Sequence, residues 1–121
     1  MELKLAVTGL DTTPIVSVQG EIDVATAPQL RDELLILDAS GHSSVIVDLE
    51  EVGFMDSTGL GVLVSGLKRS RAGGGELSVV CSRAPLLKVF NLTGLSDLLT
   101  IYPSVESAMA AFEPGSEGDQ T

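Results

Sequence analysis

Two hydroxyls and a carboxylate stand together in Phe54-Met55-Asp56-Ser57-Thr58-Gly59-Leu60-Gly61, between an apolar run and an amphipathic one. That is where a strand hands over to a helix. A helix start presents backbone N–H groups without intrahelical partners and the positive end of the helix dipole, an environment that suits an anion such as phosphate. Asp, Ser and Thr are also good caps, so capping alone accounts for their types. It does not account for Gly59 and Gly61, because each glycine in an early helical turn costs up to about 1 kcal/mol relative to alanine. Small residues at these positions let another backbone or a partner approach closely.

Chemistry at this address lacks the usual accomplices. A nucleophilic Ser57 needs a base, and the single histidine is His42, in the turn Ala39-Ser40-Gly41-His42-Ser43, with no G-x-S-x-G elbow around the serine. No G-x-x-x-x-G-K-[ST] cradle occurs, and Lys68 lies turns away from the helix start. One cysteine, one histidine and scattered acids give no metal-ligand spacing, so neither metal nor cofactor is expected. Gly73-Gly74-Gly75 reads as a flexible helix stop. Glu21 and Asp23, at the end of the second strand, read by default as solvated loop acids. In an α/β sheet, loops leaving strand ends on one edge share a surface, which would bring these acids beside Asp56 and Ser57.

The chain has 121 residues, enough for one domain with one core. Cys81 has no partner for an internal disulfide and, within Leu77-Ser78-Val79-Val80-Cys81, reads as a half-buried strand residue, which fits a reducing cytoplasm. No apolar run approaches the roughly 18 residues of a membrane span, and the start has no basic region followed by an apolar stretch. A soluble, unexported protein is expected. A formal charge of -10 repels nucleic acid and anionic lipid and steers the domain toward a basic surface, so a protein is the better partner. Glu113, Glu117 and Asp119 belong to a polar tail, 113–121, expected to be disordered, but most of the acidity lies in the body, 1–112.

The elements that must position the site follow from periodicity. Leu3 to Val7 alternates, Gly9 to Pro14 supplies a turn, and Ile15 to Val18 resumes an extended pattern, giving an antiparallel hairpin. Thr26 and Gln29 have capping-box spacing, and Leu30, Leu34 and Leu37 share a face, which predicts a helix over 26–38. Ser44 to Leu49 reads as a buried central strand closed by an acidic turn. After Asp56 and Ser57, Leu60, Leu63, Val64 and Leu67 form a helical stripe, with Lys68, Arg69 and Arg71 in the last turn. Then come a strand over 77–81, a helix over 85–92 closed at Gly94, a short strand over 98–101 and a last helix capped by Ser104. The expected fold is α/β, a mixed sheet of four to five strands packed with four helices.

With these residues assembled, the chain resembles the STAS domains of anti-sigma factor antagonists (anti-anti-sigma factors) from about Leu3 to Phe112. Three motifs in order carry the resemblance: Gly20-Glu21-Ile22-Asp23-Val24-Ala25-Thr26-Ala27-Pro28, Val47-Asp48-Leu49, and Phe54 to Gly61. Leu92-Thr93-Gly94-Leu95 is similar to the family as well.

The resemblance implies a bacterial partner-switching regulator rather than an enzyme. In that scheme the unmodified protein binds an anti-sigma factor that is also a serine kinase, which frees a sigma factor. The kinase then phosphorylates the Asp-Ser-Thr-Gly motif and a serine phosphatase restores the active form. ATP belongs to the kinase. Carried over by motif, the phosphoacceptor is Ser57, with Thr58 as the alternative, and Asp56 orients the acceptor. The implied partner-binding surface comprises Glu21, Asp23, Asp56, Ser57, Thr58, Gly59, Leu60 and Gly61. A monomer is expected when free. The alternative is a STAS module of another assembly, a transporter tail or a sensory complex, although transporter tails follow membrane helices and sensory members usually carry an additional N-terminal domain. Physically, phosphorylation adds about -1.5 to -2 charges, which a helix start tolerates but a packed interface does not.

Overall fold

The computed structural model describes residues 3–112, so the acidic tail over 113–121 lies outside the described residues. Five strands form one sheet in the order β1 (Leu3–Thr8), β2 (Ile15–Ile22), β3 (Val45–Met55), β4 (Leu77–Val80), β5 (Thr100–Tyr102). β1 and β2 are the antiparallel hairpin that the turn residues predict, with Leu3 opposite Gly20 and Thr8 opposite Ile15. The later strands are parallel, each reached through a helical crossover: α1 (Ala27–Ala39), α2 (Ser57–Ala72) and α3 (Ala84–Thr93). The mixed α/β sheet with four α-helices agrees with expectation.

Alternation in the strands sorts side chains between two layers. Val16, Val18, Val45, Val47 and Leu49 face the main core with Leu30 and Leu34 of α1, Leu63 and Leu67 of α2, and Phe90 of α3. Ile15, Ile46 and Val80 face the opposite side, where Ala108 of α4 (Val105–Ala111) covers them. β3 is therefore buried on both faces, which explains its continuous apolar run.

Several boundaries depart from expectation. β2 continues to Ile22 and β3 to Met55, past the supposed acidic turn. Between the pairs Ile15–Ile46 and Ile22–Met55, β3 carries two more residues than β2, absorbed in two irregularities of the register. Bulges of this kind reset the alternation, so Glu50 and Glu51 lie within the strand. The Glu50 carboxylate accepts from Ser82 N at 3.0 Å and Ser82 Oγ at 2.8 Å, tying the bulge to the loop after β4. The segment Leu95–Asp97 is a 3-10 turn, which delays β5 to Thr100. Cys81 is fully buried just beyond β4 rather than half-buried within it, and burial pushes its thiol above the ordinary range.

Candidate functional site

β2 and β3 run side by side and end together, and Asp56 N donates to Ile22 O at 3.1 Å. The loop from β2 to α1 and the start of α2 thus meet on the sheet edge formed by the C-terminal ends of the parallel strands. This brings Asp23 into the neighbourhood of Asp56 and Ser57. It also places His42 at the opposite edge: the residue precedes β3, and Ser57 follows it, so a strand at ~3.3 Å per residue puts about 30 Å between them. His42 cannot serve Ser57 as a base.

Asp56 is the N-cap of α2, with extended backbone and a carboxylate turned onto the helix start. Its Oδ1 accepts from Thr58 N at 2.9 Å and Gly59 N at 3.4 Å, and the Thr58 hydroxyl donates to the same oxygen. The Thr58 hydroxyl is the main cause that holds the Asp56 carboxyl below its ordinary pKa, aided by the backbone N–H groups of Gly59 and Thr58 and opposed by desolvation. The anion favoured by the helix N-terminus is therefore already present, as a side chain of the chain itself. Ser57 is exposed, and no hydrogen bond engages its hydroxyl among the described residues. Of two adjacent hydroxyls, one is tied and the other is free.

The two glycines separate in role. A Cβ on Gly59 would meet Met55 Cγ at 2.5 Å and Ile22 Cγ2 at 2.7 Å, so Gly59 lets α2 start hard against the ends of β2 and β3. A Cβ on Gly61 would meet nothing within 4 Å. Gly61 is exposed, whereas Leu60 is half-buried against the main core.

Asp23 and Thr26 close the loop before α1. The Asp23 carboxylate accepts from Ala25 N at 2.9 Å and Thr26 N at 3.1 Å, while the Thr26 hydroxyl donates to Glu21 O at 2.7 Å and accepts from Asp23 N at 2.9 Å. Thr26 does occupy the N-cap position, but no side-chain cap bond forms, so the capping box with Gln29 is absent. Asp23 therefore braces its own loop, and Glu21 is half-buried in β2 opposite Phe54.

Periodicity passes over a groove of about 430 Å³ between α1 and α2, lined by residues that include Val24, Arg31, Thr58, Gly61, Val62 and Arg69. Val24 is 73% exposed, an apolar residue in a polar loop, and this was the one available signal. Gly66 permits α2 to approach β4 and α1, since a Cβ there would lie 2.7 Å from Leu77 Cδ1 and 3.3 Å from Leu34 Cδ1.

The STAS domain family profile matches residues 4–108 of this chain. The chain belongs to the STAS domain family. Among curated relatives, this STAS domain is 36% identical over 106 residues to the anti-sigma-B factor antagonist of Staphylococcus aureus, covering 88% of this chain and 98% of that protein. It is 38% identical over 94 residues to the anti-sigma-B factor antagonist of Bacillus subtilis, covering 78% and 85% respectively. Among solved structures, the STAS domain superposes on an anti-sigma factor antagonist from Mycobacterium paratuberculosis with a TM-score of 0.84 at 30% identity, over 92% of this chain and 94% of that one. Among the described residues of this STAS domain, no helix is long and apolar enough to cross a membrane.

Proposed function

We propose that this STAS domain is an anti-sigma factor antagonist that works by binding and is not itself an enzyme. In its unphosphorylated form it binds an anti-sigma factor with serine kinase activity and so releases a sigma factor. Phosphorylation of Ser57 by that kinase ends the binding, and a serine phosphatase reverses it. The names of the curated relatives support the antagonist role. One observation carries the choice of residue: Ser57 is exposed with no hydrogen bond on its hydroxyl among the described residues, while the neighbouring Thr58 hydroxyl is bound to Asp56. A phosphoacceptor must enter a kinase site and surrender its proton there, and Ser57 can do so without breaking the cap of α2.

The same geometry supports an electrostatic switch. A phosphate on Ser57 would stand beside the Asp56 carboxylate, which already holds the Thr58 and Gly59 N–H groups. In the free domain the added charge can face water. In a complex it would be desolvated next to another anion, a penalty that falls on the interface.

The test is intact-mass measurement after incubation with the anti-sigma factor kinase and ATP. Wild type and Thr58→Ala are expected to gain one phosphate, and Ser57→Ala none. Incorporation into Ser57→Ala at the wild-type rate would overturn the assignment.

A further inference from the structure

The groove between α1 and α2 is the least explained feature of the domain. It opens beside Thr58, one residue from Ser57, and is therefore continuous with the surface proposed to meet the anti-sigma factor. Its walls are largely apolar, and Val24 and Val62 are among the residues that line it. Among the described residues, its only charged lining residues are Arg31 and Arg69, in a chain whose formal net charge is -10.

Neither guanidinium is fully engaged. Arg69 Nη2 is buried without a hydrogen-bond partner among the described residues, in a position where it lies 3.9 Å from a Cβ built on Gly66. A buried charged donor left unpaired is costly, so a guanidinium that turns outward to an acceptor in the groove would relieve that cost. Arg31 makes one exposed ion pair with its sequence neighbour Asp32 at 3.3 Å, an interaction weak enough to be exchanged. Arginine suits carboxylate recognition because its planar fork offers paired donors.

We infer that this groove receives a segment of the anti-sigma factor that carries an apolar side chain followed by a carboxylate, the apolar group seating against Val24 and Val62 and the carboxylate reaching Arg31 and Arg69. The inference rests on the function proposed above and adds the chemistry of the partner. An acidic domain attracts basic surface at long range, whereas two arginines in an apolar groove select an acidic side chain at contact. The complementary signs fix the orientation of docking.

The test measures the affinity of the full chain for the anti-sigma factor that phosphorylates it, comparing wild type with Arg31→Gln, Arg69→Gln and Lys68→Gln. Lys68 is exposed on α2 outside the groove, so its variant makes the same change in net charge. Losses of about tenfold or more are expected for both arginine variants, with Lys68→Gln within about twofold of wild type. If Arg69→Gln fails to fold by thermal unfolding, Arg31→Gln decides alone, since that side chain is exposed. Wild-type binding with unchanged affinity in the arginine variants overturns the groove and leaves the proposed function standing, as does equal weakening by Lys68→Gln. Failure of wild type to bind overturns both. If the arginine variants instead reduce only self-association in sedimentation, the groove takes a second copy and the inference falls.

Discussion

Ser57 and Thr58 differ by one position and stand in opposite conditions, because the helical turn aims Thr58 back at Asp56 and leaves Ser57 outside. That contrast predicts a titration. The Asp56 carboxyl lies below its ordinary value of 3.8, so the cap contributes stability that is fully present above that value and is lost as pH falls through the lower folded-state value. The difference in unfolding free energy between wild type and Asp56→Ala should therefore shrink below pH 3.8. Phosphorylation of Ser57 should raise the Asp56 pKa, as a like charge beside it must, and carboxyl shifts followed by NMR would show it. Gly59→Ala should destabilise by about 1–3 kcal/mol through the clash with Met55 and Ile22. Gly61→Ala should be neutral or stabilise by up to about 1 kcal/mol, because its Cβ meets open space and alanine favours the helix. Urea unfolding of the two variants separates internal packing from partner access, which a glycine in a sequence cannot do by itself.

At the scale of elements, the site was legible as a helix start because Asp56, the apolar stripe and the glycine stop all agree locally. The brace beneath it was not. The reach of β2 to Ile22 and β3 to Met55 depends on bulges whose two extra residues break the alternation that marks a strand. The buried stripe of α2 runs through Gly59, Leu63, Gly66, Leu67 and Ser70, so small residues stand among the buried leucines where α2 approaches the sheet and α1. Apolar type marks Leu63 and Leu67 of that stripe but also Leu60 and Val64, which are only half-buried. Thr26 shows the same limit: its spacing to Gln29 fits a capping box, yet its hydroxyl serves Glu21 O and Asp23 N. Those contacts join residues of one loop in three dimensions and leave no periodic trace. Thr26 is 3% exposed, so Thr26→Val should leave Glu21 O and Asp23 N unpaired and lower stability by about 1–3 kcal/mol, with Thr26→Ser recovering most of it in the same unfolding measurement.

For the whole molecule, the sheet is a frame that brings two loops to one edge, and under the proposed function the formal charge of -10 would steer the domain toward a basic partner. Association with a basic surface should slow as salt is raised, with a smaller effect on dissociation, because screening acts on the long-range approach. Stopped-flow association at two ionic strengths checks this. With apolar clusters packed on both faces of the sheet, the fold gives phosphorylation little to rearrange, so the proposed switch would act through the surface. The most direct test compares the affinity of unmodified and Ser57-phosphorylated protein for the anti-sigma factor by titration calorimetry, with an NMR spectrum of each form. The expected result is a loss of more than about a hundredfold in affinity, equivalent to ~3 kcal/mol, with spectral changes confined to the neighbourhood of Asp56 and the start of α2. Equal affinity of the two forms, or a spectrum showing that the phosphorylated domain has lost its fold, would contradict the account.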